Sequence, residues 1–347
     1  MKKEIIAAIT SSLQTNDLLI IRQNFSDLLI LISKSKNKNI FVTDKSELIK
    51  KDFLIGEVNQ ILKTQTIERT KYYIKRLKKS LTEVRQSKIN DINLNRWKEY
   101  DDILTDSLWL FNKRDQSGLH NAGYWGNFIP QIPNQLLRRY TKNGEWILDP
   151  FLGSGTTLIE AQRLGRNAVG IELSKKVLDN TEDTLIKENN PHKTKLVFVN
   201  GNSASVDIGK VCSSNQINSF QFVIMHPPYW DIIKFSKNQN DLSNAKTIGD
   251  FLNGFGKVLD NCLPHLDSKR FLAVIIGDKY SGGEWIPLGF YLMQEVMKRG
   301  MILKSTIVKN FEETTAKRNQ KELWRYRALA GGFYVFKHEY IFIFQKR

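Results

Sequence analysis

From Trp146 onward the chain alternates short apolar runs with stretches of helical spacing, the pattern of a βαβ sheet. The apolar runs predict strands over residues 146–151, 167–173, 195–202, 221–226 and 271–278, with two more over 301–309 and 339–345. Helical spacing falls between them, over 156–164, 175–188, 247–263 and 285–299. Seven strands with the last two close together predict an α/β fold, a doubly wound sheet ending in a hairpin.

The first hundred residues have a different texture. Residues 18–33 are nearly all apolar, and periodicity does not choose between a helix and a buried strand there. Ile67, Ile74, Leu77, Leu81 and Val84 recur at intervals of seven, three, four and three, which predicts an amphipathic helix. Its other face holds Arg69, Lys71, Lys75, Arg76, Lys78, Lys79 and Arg85 against Glu68 and Glu83. Such a face is either solvated or in contact with phosphates. The chain thus divides into a basic, mostly helical extension over 1–100 and a sheet domain over 101–347. There are no internal repeats and no low-complexity segments.

A formal charge of +16 bears on that choice, because it attracts polyanions, nucleic acid first and membrane surfaces second. Against the membrane, no apolar stretch approaches the roughly 18 residues that span a bilayer. The amino terminus begins like a signal peptide, but Thr10, Ser11, Ser12 and Gln14 interrupt the apolar region. Cys212 and Cys262 are too few for a disulfide framework or a zinc cluster. A cytoplasmic protein without membrane contact or metal is the expectation.

Two strand ends carry the chemistry. Trp146-Ile147-Leu148 runs into Asp149-Pro150-Phe151-Leu152-Gly153-Ser154-Gly155-Thr156-Thr157. A strand, a glycine-rich turn and a helix bring backbone N–H groups and a helix N-terminus onto an anion. Gly153 and Gly155 allow close backbone approach, and Thr156 or Thr157 is placed to cap the helix. No lysine follows the second glycine, so this is not a nucleoside-triphosphatase phosphate loop. Glu172 closes the next strand, where an acid can accept hydrogen bonds from both hydroxyls of a ribose. The second strand end is Phe222-Val223-Ile224-Met225, which runs into His226-Pro227-Pro228-Tyr229. One loop suits a cofactor, and the other a flat ring beside it.

These motifs together resemble the S-adenosylmethionine-dependent amino-methyltransferases of DNA, over about residues 124–347. The resemblance implies a Rossmann-like class I methyltransferase sheet of seven strands. It also implies that Asp149, Pro150, Phe151, Gly153, Gly155 and Thr156 cradle the methionine part of the cofactor, Glu172 its ribose, and Asn202 its adenine. Asn202 reads equally well as an ordinary turn residue. Tyr124-Trp125-Gly126-Asn127-Phe128, with Pro130-Gln131-Ile132-Pro133 after it, is similar to a segment that closes over the cofactor.

An exocyclic amine is a poor nucleophile, because its lone pair is delocalised into the ring. Methylation needs acceptors for the amine hydrogens and a methyl group held in line. In the family the first residue of the Pro-Pro-Tyr motif supplies one acceptor and the Pro227 position supplies another through its carbonyl. The two prolines fix φ, and Tyr229 would stack on a flipped-out base. The first position is usually Asp, Asn or Ser, and here it is His226, which accepts one hydrogen bond only when neutral. Asp278 and Asp231 are the stand-ins, although an exposed acid satisfying a loop suits either one. Carbon methylation of cytosine is excluded, since neither cysteine ends a strand in a Pro-Cys pair.

Residues 310–337 interrupt the final hairpin and mix Lys317, Arg318, Lys321, Arg325 and Arg327 with Trp324, Tyr326, Phe333, Tyr334 and Phe336. Cations among aromatics suit phosphate contact and base stacking, so this is a target-recognition insert or else an ordinary capping loop. The expectation is a site-specific methyltransferase of double-stranded DNA, acting on adenine N6 or cytosine N4 in restriction-modification or phage defence. A separate restriction endonuclease or defence protein is a further expected partner, with the enzyme a monomer or dimer. The alternatives are a transfer-RNA guanine-N2 methyltransferase of the same fold and an inactive nucleic-acid-binding protein.

Overall fold

The computed structural model describes residues 2–41, 48–120, 126–311 and 321–347. The chain forms two compact units, Met1–Ile103 and Leu104–Arg347.

The first unit holds helices α1 (Lys2–Gln14), α2 (Leu18–Lys34), α3 (Lys51–Leu62) and α4 (Ile67–Thr82), with an antiparallel pair β1 (Asn39–Phe41) and β2 (Leu48–Lys50). The ambiguous apolar run is helical. Asp17 caps it by accepting the N–H groups of Leu19 and Ile20, and Ile21, Phe25, Leu28 and Ile32 line one buried face. Its seventeen residues are also long for a strand. Helix α4 follows the predicted period: Thr66 caps it, and Ile74, Leu77 and Leu81 are buried. Val84 lies past its end and is exposed.

The second unit begins with β3 (Leu108–Trp109) and α5 (Gln131–Tyr140), then alternates β4 (Trp146–Asp149), α6 (Thr156–Arg163), β5 (Asn167–Glu172), α7 (Lys175–Leu185) and β6 (Leu196–Asn200). Helix α8 (Ile208–Ser214), β7 (Phe220–Met225), α9 (Ile248–Cys262) and β8 (Leu266–Ile276) continue it. The hairpin β9 (Lys279–Ser281) and β10 (Glu284–Ile286), α10 (Leu288–Lys298), β11 (Ile302–Asn310), α11 (Lys321–Gly331) and β12 (His338–Gln345) complete it.

The sheet runs β3-β11-β12-β8-β7-β4-β5-β6, with β12 antiparallel to both its neighbours. It has eight strands rather than the expected seven, because the two-residue β3 adds in parallel to the edge of β11. A second correction concerns residues 285–299, whose first residues form β10 instead of helix. Gly282 and Gly283, at positive φ, turn the chain into a hairpin, and Pro287 stands at the start of α10.

What matters for function is where the strand order reverses. The chain leaves β4 for β5 and β6 on one side, then returns to lay β7 against the other side of β4. Ligands of open α/β sheets bind outside the carboxyl ends of strands at such a reversal. The glycine loop leaves the end of β4, and the His-Pro-Pro-Tyr loop leaves the end of β7.

Candidate active site

The glycine loop is built by backbone groups. Gly153 and Gly155 take φ of +50° and +76°, conformations that cost other residues energy. Gly155 occupies the N-cap of α6 without a side-chain cap, so neither Thr156 nor Thr157 plays the capping role expected of it. Both threonines instead lie buried inside the first turn. The leading N–H groups of α6 are thereby left without a protein cap, which is what an anion-receiving helix start requires.

Glu172, at the end of β5, reaches under this loop. Its Oε2 accepts the Gly153 N–H at 3.0 Å and its Oε1 accepts the Ser174 N–H at 2.9 Å. Burial raises its pKa, against the opposing effect of those N–H groups. Asp149 is buried, accepts the Phe151 N–H at 2.9 Å, and is pushed up to about 6 by burial, with the Glu172 charge adding to the rise. Ser203 donates to the Pro150 carbonyl at 2.6 Å and ties the loop to the far side of the cleft. Asn127 donates to Ser154 Oγ at 3.1 Å, which brings the segment before α5 onto the glycine loop. Tyr124 and Trp125 of that segment fall outside the described residues.

Asn202 lies in the turn after β6 rather than in the strand, which ends at Asn200. Its side-chain oxygen accepts the Ala204 N–H at 3.0 Å, the turn role that the sequence also allowed.

In the second loop, His226 is half-buried, with the Phe128 ring edge-on 4.8 Å away. Burial pushes its pKa down to about 4, Glu339 pulling it up and Lys309 further down. The imidazole is therefore neutral near pH 7. Tyr229 places its hydroxyl 3.3 Å from His226 Nε2 and donates to Glu339 Oε2 at 2.6 Å. Burial, with the Glu339 charge next, raises the phenol pKa well above its ordinary value, so the hydroxyl keeps its proton. The ring rests against Gly277, where a Cβ would come within 2.7 Å of Tyr229 Cε2. Glu339 and its partner Lys309 were not singled out from the sequence. The available signal was a charged residue on each side of the insert, Lys309 before it and Glu339 after it, since buried charges must pair.

The stand-ins are otherwise engaged. Asp278 is buried rather than exposed, with Oδ2 accepting the Trp285 indole N–H and Oδ1 the Gly289 N–H, each at 2.9 Å. It closes the start of α10. Asp231 is paired with Lys279, whose ammonium sits 4.3 Å over the Trp230 ring. Both cysteines are buried, which holds their thiols above the usual range.

Of the basic residues in the insert, Lys317 and Arg318 lie outside the described residues. Lys321 begins α11, a helix the sequence did not suggest, and Arg325 and Arg327 are exposed on it. Arg327 covers the Trp324 ring at 5.3 Å. Phe333 stacks on Tyr280 at 4.0 Å and Phe336 meets Trp285 edge-on, which fastens the end of the insert to the β9–β10 hairpin. In the first unit Arg76 does not project freely: it pairs with buried Glu57, which Lys98 also contacts. Lys75, Lys78 and Lys79 remain exposed.

The sequence pattern of the N6/N4 DNA methylase family matches residues 11–183 and 220–347. A Methanocaldococcus jannaschii protein named as a ribosomal RNA large-subunit methyltransferase is 27% identical over 245 residues, 68% of this chain and 57% of its own length. The type II methyltransferase M2.DpnII of Streptococcus pneumoniae is 39% identical over 100 residues, 28% of this chain and 34% of its own. The chain thus spans just over half of the first relative and about a third of the second. TrmN from Thermus thermophilus superimposes with a TM-score of 0.42 at 16% identity, covering 64% of this chain and 50% of that one. The family match runs through both loops, Glu172 fits a ribose and the uncapped α6 fits an anionic group, so the chain belongs to the N6/N4 DNA methylase family and its cofactor is S-adenosylmethionine.

Proposed function

We propose that this protein methylates the exocyclic amine of a base in double-stranded DNA, adenine N6 or cytosine N4. The observation that carries the reading is the placement of the His226–Tyr229 loop beside the glycine loop at the reversal of strand order. Asp149 to Thr156 receive the methionine part of the cofactor and Glu172 its ribose. Asn202 lies beside the adenine, its side-chain oxygen also holding the turn through the Ala204 N–H. Bound there, S-adenosylmethionine supplies an electrophilic methyl group.

The protein's own part is to hold the nucleophile. Neutral His226 accepts one amine hydrogen and the Pro227 carbonyl accepts the other, which draws the nitrogen lone pair out of the ring. The prolines keep that carbonyl rigid, and the Tyr229 ring packs on the extruded base. Arg325 and Arg327 on α11, with Lys317 and Arg318 before it in the chain, contact the duplex, and the exposed lysines of α4 add phosphate contacts. Relatives named as type II methyltransferases support a role in restriction-modification, and a separate endonuclease is the partner such a role implies.

RNA is the second reading, favoured by the relative named for ribosomal RNA. Methylation-aware sequencing of DNA from a host expressing the chain, beside nucleoside mass spectrometry of its RNA, separates the two. A modified base at one DNA sequence, lost in Tyr229→Ala, supports the proposal. Unmodified DNA with a new methylated nucleoside in RNA overturns it.

A further inference from the structure

His226 can accept a hydrogen only at a nitrogen that carries no proton, so its tautomer decides its chemistry. Two charged groups on neighbouring strands reach it through Tyr229. Lys309 on β11 and Glu339 on β12 are register partners across the antiparallel pair. Both are almost fully buried, at 5% and 4% exposure, and Lys309 Nζ lies 3.0 Å from Glu339 Oε1. The other oxygen, Oε2, accepts the Tyr229 hydroxyl at 2.6 Å.

A phenol has one proton to donate. With that proton on Glu339, the Tyr229 oxygen can meet His226 Nε2, 3.3 Å away, only as an acceptor. Nε2 then carries the imidazole proton and Nδ1 is bare. Among the described residues none hydrogen-bonds Nδ1. We propose that Glu339 and Lys309 are positioning residues that act through the Tyr229 hydroxyl to hold His226 as the Nε2–H tautomer, leaving Nδ1 to accept the amine hydrogen. The inference rests on the reading of His226 as that acceptor.

Lys309 has a distinct part in this arrangement. An unbalanced carboxylate behind the phenol would favour imidazolium, which has no acceptor at all. The ammonium opposes that effect, and because it contacts Oε1 it leaves Oε2 to the phenol. A buried pair of this kind often adds little to stability, and it is used here for orientation.

The test uses the full chain labelled with nitrogen-15 histidine, without DNA, followed by single-turnover methyl transfer to unmethylated genomic DNA. In the wild type His226 should show a protected Nε2–H proton and a bare Nδ1. Tyr229→Phe keeps the ring and removes the hydroxyl, so it should lose that proton signal and slow transfer at least tenfold, with cofactor affinity within twofold. Glu339→Gln alone strands the Lys309 charge and can unfold the protein, so two double variants carry the comparison. Glu339→Gln/Lys309→Met keeps an oxygen for the phenol and should retain the Nε2–H signal. Glu339→Met/Lys309→Met should lose it and fall to the Tyr229→Phe rate. A proton on Nδ1 in the wild type, or Tyr229→Phe with unchanged signal and rate, overturns the inference. If the wild type shows the Nε2–H tautomer and His226→Ala keeps full activity, the acceptor reading beneath the inference is overturned instead.

Discussion

Gly155 offers a direct test of how the glycine loop is built. Close approach to a cofactor is the reason its sequence suggests, but the structure supplies another. A Cβ at Gly155 would lie 2.7 Å from Thr181 Cγ2 and 2.9 Å from Leu185 Cδ1, both on α7. The residue also sits at φ +76°. Gly155→Ala therefore incurs about 1–2 kcal/mol for a left-handed backbone. Crowding of α7 adds about 1–3 kcal/mol. Together these lower the unfolding temperature by roughly 4–20 °C, at about 2–4 °C per kcal/mol for a unit of this size. Thr181→Ser removes the nearest methyl and keeps the hydroxyl that donates to the Gly153 carbonyl at 2.8 Å. In a double-mutant cycle it should recover part of the crowding cost and none of the backbone cost. Thermal unfolding without cofactor gives the stabilities, and calorimetry with S-adenosylmethionine gives the affinity of the folded variant. A wild-type unfolding temperature combined with abolished binding would refute the reasoning, because the new methyl would then enter the cleft rather than α7.

Three further outcomes are expected. Breaking the Lys309–Glu339 pair from either side, by Lys309→Met or Glu339→Gln, should cost about 3–5 kcal/mol in urea unfolding, and the double variant should recover most of it; strictly additive losses would show that the two charges do not compensate each other. The His226 titration should have its midpoint near 4, so at saturating cofactor the His226-dependent part of the transfer rate stays flat from pH 8 to 5 and declines only below, apart from any step near 6 that Asp149 contributes; because the unfolded imidazole titrates near 6.5, stability linked to it is lost as pH falls from about 6.5 toward 4, and a midpoint at 6.5 in the folded chain would contradict the burial assigned to it. Charge reversal at Lys75, Lys78 and Lys79, and separately at Arg325 and Arg327, should flatten the slope of log affinity against log salt by roughly 0.9 for each phosphate no longer neutralised, and an unchanged slope for both sets would place the duplex elsewhere.

The sequence by itself determined the features that are local in the chain. The apolar runs of β4, β5, β7 and β12 are each interpretable within a few residues, and so are the glycine turn and the His-Pro-Pro-Tyr loop, because strand, turn and helix signals are short-range. The amphipathic period of α4 was legible for the same reason. Tertiary structure decided what depends on residues far apart. The two-residue β3 is too short to show a period and exists only because β11 offers an edge. Which partners Asp278 and Asn202 hold is likewise tertiary: Trp285 and Gly289 for the first, Ala204 for the second. That Gly155 must also be glycine for packing is invisible until α7 is seen to stand where its Cβ would point. Nothing in the sequence joins Lys309 to Glu339, and only the β11–β12 register buries them together beneath Tyr229. A charge has no meaning for a site until its dielectric surroundings and its partner are known, and both come from the packing of distant strands.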